Sequence, residues 1–176
     1  MSGHNKYSKI KHQKAKTDAQ KSKVFTKMVK LISTEAKKSG GNLRSPGLAN
    51  AIEKAKKDNV PNDTIERAIK KATSDNSAAM EIVTYESYGP GGVAVIIEAL
   101  TDNRNKAAQE IKHILSQHGS ELAAPGSASW AFVKTHEGWV ANTTTPLEDA
   151  DIELLGKLVE ALEESDEVQD VFTNAE

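Results

Sequence analysis

From residue 18 onward the chain settles into apolar positions repeating at three- and four-residue steps. Val24, Phe25, Met28, Leu31, Ile32 and Glu35/Ala36 fall on one stripe of a helix, with Lys23, Lys27, Lys30 and Lys37 on the opposite face. Asp18 is read as its N-cap, and Gly40-Gly41 stop it. Ser45-Pro46, an N-cap followed by a proline suited to the first helical position, opens a second helix with Leu48, Ile52 and Ala55 inward, ending near Asn59. Pro61 with Asn62 and Asp63 opens a third, with Ile65, Ala68, Ile69 and Ala72 as its buried face. Three short helices with small apolar residues predict a helical bundle with a thin core. Residues 1–17 show no such period and are read as an arm.

Past Ser74–Ala79 the period changes. Met80–Tyr85 reads as a strand. Tyr88-Gly89-Pro90-Gly91-Gly92 has to be a turn, because three glycines and a proline in succession leave no regular structure. Val93–Leu100 is almost wholly apolar and reads as a buried strand. Thr101-Asp102-Asn103 cap a helix carrying Ala107, Ala108, Ile111, Ile114 and Leu115, closed by Gly119. Ala128–Lys134 and Gly138–Ala141 read as a hairpin bearing Trp130, Phe132 and Trp139. Pro146–Glu164 is an acidic helix with Ile152, Leu155, Leu158, Val159 and Leu162 inward, and Val168–Phe172 is a last strand. The expected fold class is α+β: a three-helix domain over residues 18–76, then an α/β sandwich over 80–176 with helices on one face of a mainly antiparallel sheet.

Charge sharpens this division. The formal net charge of −2 over 176 residues conceals a split. Residues 1–76 hold 18 Lys and Arg against 7 Asp and Glu, whereas residues 77–176 hold 5 against 18. The balances are +11 and −13, so the first half suits a polyanion and the second resists one. The charge is densest at the start: residues 1–40 carry eleven Lys against Asp18 and Glu35 alone. Each Lys brought near a phosphate releases condensed counterions, which favours binding without reading sequence. Tyr7 and Ile10 sit among these charges, and an aromatic in a basic arm can stack on a base.

There is no Cys, so disulfides, thiol chemistry and Cys-based zinc sites are excluded. No apolar run approaches the ~20 residues that span a bilayer, and no apolar stretch follows the basic N-terminus as a secretory signal requires. The expectation is a cytoplasmic protein with no membrane partner.

Several of these segments, taken in order, resemble one family. Gly3-His4-Asn5-Lys6-Tyr7 through Ile10-Lys11-His12-Gln13-Lys14 is similar to the opening of the YebC/PmpR family. Phe25-Thr26-Lys27, Tyr85 through Gly92, Thr101-Asp102-Asn103-Arg104-Asn105 and Val168-Gln169-Asp170-Val171 continue the likeness along nearly the whole chain. That family contains bacterial proteins named as probable transcriptional regulators and the mitochondrial translational activator of cytochrome c oxidase subunit I. The resemblance implies a helical N-terminal domain followed by α/β domains, and binding to DNA or ribosomal RNA rather than catalysis. Relatives are longer, with a further α/β domain after the strand corresponding to Ala128–Lys134; here that insertion is missing, or reduced to a hairpin near 128–145. Tyr7 stands where the family commonly has Trp, a substitution that preserves stacking.

The candidate nucleic-acid-binding residues are therefore His4, Lys6, Tyr7, Lys9, Lys11, His12, Lys14, Lys16, Lys21, Lys23, Lys27 and Lys30. Gly89, Pro90, Gly91 and Gly92, with Arg104, form a second group as a contact loop. No metal is expected at His4 and His12, since no Cys, Asp or Glu near them completes a ligand set. His113 and His118 are five residues apart on one helix and point apart. No Gly-Lys-Ser/Thr follows the glycine turn, and no Gly-x-Ser-x-Gly elbow or spaced acid–base pair occurs, so neither catalysis, a cofactor nor a small-molecule substrate is expected. The leading reading is a DNA-binding transcriptional regulator; the alternative is a factor that binds ribosomal RNA and relieves stalled elongation. The acidic helix 146–164 is a candidate protein contact.

Overall fold

A computed structural model describes residues 17–176. The described chain divides into two compact units, one ending at Glu81 and one covering Ile82–Glu176. Predictions placed on residues 1–16 lie outside the described residues.

The first unit contains helices α1 (Asp18–Ser39), α2 (Pro46–Lys57) and α3 (Asn62–Ser74), with α1 packed against both others. The N-cap of α1 is Thr17, not Asp18. Thr17 Oγ1 accepts from the Gln20 amide at 3.2 Å while Gln20 Oε1 accepts from the Thr17 amide at 2.9 Å. This reciprocal pair satisfies two amides that no helical carbonyl can reach. Asp18 moves into the first turn, where its charge favours the helix dipole. Gly40 closes α1. The core is mostly small: Ala36, Ala51, Ala55, Ala68 and Ala72 are buried around Ile32, Leu48 and Ile65. Alanine faces let the helices approach closely but bury little apolar area each. Met28 and Phe25, expected inside, are only half-buried.

The second unit is built on β1 (Glu81–Tyr88) and β2 (Ala94–Thr101), followed by α4 (Arg104–Gln117), β3 (Leu122–Ala123), β4 (Phe132–Thr135), β5 (Gly138–Ala141), α5 (Asp149–Glu164) and β6 (Val168–Thr173). The main sheet has the order β3-β1-β2-β6. β1 and β2 are neighbours joined by five residues, too few for a parallel crossover. β1–β3 and β2–β6 are antiparallel, the latter with Ile97 opposite Val171.

Side chains alternate across β2, and each set has its own cover. Val93, Val95, Ile97 and Ala99 pack with Ile111 and Leu115 of α4 and with Ile152, Leu155, Leu158, Val159 and Leu162 of α5. Ala94 and Ile96 pack on the other face with Ala128, Ala131, Phe132, Trp139 and Phe172. The hairpin is thus a separate two-stranded sheet covering the face opposite the helices, with Phe132 opposite Ala141 and Lys134 opposite Trp139. Gly138 has φ +130°, and a Cβ there would lie 2.6 Å from the Phe172 ring, so the hairpin seats on β6 only with glycine at this position.

Candidate nucleic-acid interface

Of the lysines singled out on α1, Lys21 is exposed, Lys23 and Lys30 are half-buried, and Lys27 is buried, with 9% of its surface accessible. Lys23, Lys27 and Lys30 do share one helical face at steps of four and three. That face is not the fully solvated stripe the sequence suggests. A lysine's four-carbon stem can lie along apolar surface while its amine seeks polar partners, which makes partial burial compatible with charge. Lys37, further along, donates to the carbonyl and hydroxyl of Ser77. Ser77 is itself held by Asp75, whose carboxyl is kept below its usual range chiefly by the Ser77 backbone amide and then by the Ser77 hydroxyl. On α2 and α3 of this unit Lys56, Lys57, Arg67, Lys70 and Lys71 lie exposed, while Lys54 is half-buried.

The glycine loop is a tight connection. The Gly89 amide donates to the Val93 carbonyl at 2.9 Å and the Gly92 amide to the Gly89 carbonyl at 3.2 Å. Gly91 has φ +70°, and a Cβ there would collide with Leu147 and lie 3.1 Å from Asp151 Oδ2. A loop pressed against a carboxylate on the first turn of α5 is poorly placed to receive a phosphate. Arg104 is exposed, but it lies beyond the far end of β2 from this loop. Eight strand residues put the two about 23 Å apart, so they do not form one site.

A different cluster, which the sequence reading did not single out, surrounds Glu86. This carboxylate is buried near the end of β1. Its Oε2 accepts from the Gly126 amide at 2.6 Å, and its Oε1 from the amides of Ala128 at 3.0 Å and Ser129 at 2.6 Å. Burial works against its charge, but the three backbone amides outweigh that and hold the carboxyl below its usual range. The loop they fix carries Trp130, whose Nε1 donates to Tyr88 Oη at 3.0 Å, and Tyr88 Oη in turn donates to the Ser127 carbonyl. Trp130 remains 58% exposed. The sequence suggested that Ala128–Lys134 was one strand of the hairpin bearing Trp130. In the structure Ser129–Ala131 is instead a single 3₁₀ turn that rotates the indole outward.

Among the described residues no group of three or more His, Asp or Glu could hold a metal ion, and no helix is long and apolar enough to cross a membrane.

The family model for the TACO1/YebC protein N-terminal domain matches residues 5–75, and the model for the TACO1/YebC second and third domain matches residues 80–138 and 133–175. The chain belongs to the TACO1/YebC family. A probable transcriptional regulatory protein of Thermoanaerobacter pseudethanolicus is 52% identical over 136 residues, covering 76% of this chain and 55% of that protein. One from Desulfosudis oleivorans is 44% identical over 182 residues, covering 100% of this chain and 72% of the relative. A solved structure of a conserved hypothetical protein from Aquifex aeolicus is 32% identical with a TM-score of 0.78, covering 95% of each chain. The chain spans little more than half the length of several TACO1/YebC relatives it matches, at 55%, 60% and 53%.

Proposed function

We propose that this protein is a nucleic-acid-binding regulator of gene expression, acting as a DNA-binding transcriptional regulator through the basic segment that runs from His4 to Lys30. The observation that carries the reading is the concentration of eleven Lys within residues 1–40, in a chain whose relatives are named probable transcriptional regulatory proteins. Lys binds phosphate as a point charge, so the segment supplies affinity and orientation. The acidic second half, with a balance of −13, resists non-specific association with a polyanion, so the first half supplies the phosphate contacts. Nothing in this mechanism calls for a cofactor, a small-molecule substrate or catalysis.

One feature favours ribosomal RNA as a second target. Residues 1–40 contain no Arg, the residue that most often reads guanine in the major groove. The test is competition at near-physiological salt between a labelled genomic promoter library and ribosomes, with Lys9, Lys11 and Lys14 replaced by Glu as the control. Preference for one duplex by about 10³-fold over random DNA supports the transcriptional reading. Displacement by ribosomes with no duplex preferred moves it to RNA. Affinity unchanged by the three charge reversals overturns both.

A further inference from the structure

The Trp130 platform has no part in the basic segment, yet it is built with more care than an exposed side chain needs. Its indole is 58% exposed, and the Val133–Val140 pair on the outward side of the hairpin is also open, at 53% and 54%. Three layers hold the ring. Tyr88 fixes its nitrogen, Ser127 fixes Tyr88, and the Glu86 carboxylate fixes the backbone of residues 126–129. A large aromatic immobilised before its ligand arrives loses little conformational freedom on binding.

The hydrogen bonding narrows the ligand. Grooves that take proline-rich peptides offer a stacked ring together with a side-chain donor for the peptide carbonyl. Here the Trp130 indole N–H is already given to Tyr88, the Tyr88 hydroxyl hydrogen to Ser127, and the Trp139 indole N–H to Glu98. What these two bonds leave open on the Trp130–Tyr88 pair is the π face of the indole, which suits a flat ring held by stacking. The surrounding charge does not forbid a nucleotide: the Glu86 carboxylate is buried and its oxygens are turned to three backbone amides, and Lys134, which pairs with Glu98 at 2.9 Å, is the nearest exposed cation along the chain. The strongly acidic segment 148–164 belongs to α5, on the opposite face of the sheet.

We propose that Trp130, backed by Tyr88, is a stacking platform for an unpaired base of a single-stranded or bulged nucleic acid. Stacking of this kind is sequence-tolerant, because every base has a π face, and it is closed to intact duplex, whose bases already stack on one another. The site rests on the nucleic-acid reading above but adds a preference that the lysines do not supply. The basic segment holds phosphates of any strand, and Trp130 selects strands with a free base.

The test uses the full chain and its Trp130→Ala, Trp130→Phe and Tyr88→Phe variants, each checked for folding by circular dichroism. Binding is measured by anisotropy on labelled oligo-dT and oligo-rU of about twenty nucleotides, long enough to cover a typical single-strand site, and on a duplex of equal length. Trp130→Ala is expected to weaken both single-strand complexes about 5- to 100-fold, the effect of removing one base–aromatic stack, while duplex affinity and the salt slope stay the same. Trp130→Phe should recover most of the loss, and Tyr88→Phe should lose less than Trp130→Ala. Loss on only one of the two oligomers identifies the strand as DNA or RNA and still supports the platform. Equal loss on duplex and single strand, or no loss on either, overturns it. A concentration-dependent dimer abolished by Trp130→Ala, with binding unchanged, also overturns it and makes the surface a contact between copies. If the wild-type protein binds neither probe in a salt-dependent way, the parent reading falls as well, and that outcome is separate because it precedes any change at Trp130.

Discussion

Replacing Glu86 with Gln isolates the device that fixes the Trp130 loop. The carboxylate accepts three backbone amides, two at 2.6 Å and one at 3.0 Å. A hydrogen bond to a charged group contributes about 1.5–3 kcal/mol. Gln keeps the shape but has one acceptor oxygen. If that oxygen faces Ala128 and Ser129, its NH₂ is set against the Gly126 N–H, donor against donor. Losing the charge and one bond, while recovering the desolvation cost of a buried carboxylate, gives a net destabilisation of about 3 kcal/mol at pH 7. The sign with pH follows from the carboxyl being held below its usual value of 4.5. Its stabilisation is fully present above that value and is lost as pH falls through the lower, folded-state value. Wild type and variant should therefore differ most near neutrality and converge in acid. Both tryptophans, Trp130 and Trp139, belong to the second unit, so urea unfolding followed by tryptophan fluorescence reports on that unit alone. A difference below about 1 kcal/mol at pH 7, or one that stays constant between neutral and acid pH, would refute the reasoning.

Deleting residues 1–16, which keeps the Thr17 cap of α1, is expected to leave a protein with native circular dichroism but much weaker nucleic-acid binding. If the intact segment neutralises about five phosphates, log affinity for duplex DNA should fall with log salt at a slope of roughly −4 to −5, which a salt titration checks directly. Gly91→Ala combines a left-handed backbone with a collision against Leu147, and should lower stability in urea by about 1–3 kcal/mol. Lys134→Met removes an ion pair to Glu98 and a cation 5.0 Å from the Trp139 ring centre. Because Lys134 is half exposed, thermal unfolding should show a loss below about 1 kcal/mol that shrinks at high salt.

The elements with a strong period were legible in the sequence. All five residues assigned to the inward face of α5 are buried, and the nearly unbroken apolar run of Val93–Leu100, read as a buried strand, is β2. Features made by short-range hydrogen bonds were not legible. β3 is two residues long and pairs only with Glu86 and Ser87, too short to carry a period. The capping box at Thr17 was overlooked because Asp18, also a good capping residue, stands next to it. The first hairpin strand was read as starting at Ala128, whereas β4 starts at Phe132 after the 3₁₀ turn Ser129–Ala131, because a periodic reading assumes a continuous strand. Backbone amides drawn to a side chain 40 or more residues away break that assumption, and no local pattern announces it. Lys27 shows the same limit: helical spacing gave its face, but burial depends on what packs there.

The second unit divides its chemistry between the two faces of one sheet. Seven carboxylates between residues 148 and 164, against Lys157 alone, lie on or beside α5 on one face. The hairpin on the other face carries Lys134 and Glu137 as its only formal charges between 129 and 141. Both layers rest on β2, which buries alternate side chains against each. A polyanion approaching this unit is therefore repelled from one side and meets an apolar, aromatic and nearly uncharged surface on the other. That asymmetry matters more than the net −13, because at physiological salt exposed charges are screened beyond about 8 Å. With two sheet faces and a packed layer between them, the helix-face carboxylates act weakly at Trp130. The overall acidity of the unit and the base-stacking role proposed for its hairpin are therefore compatible.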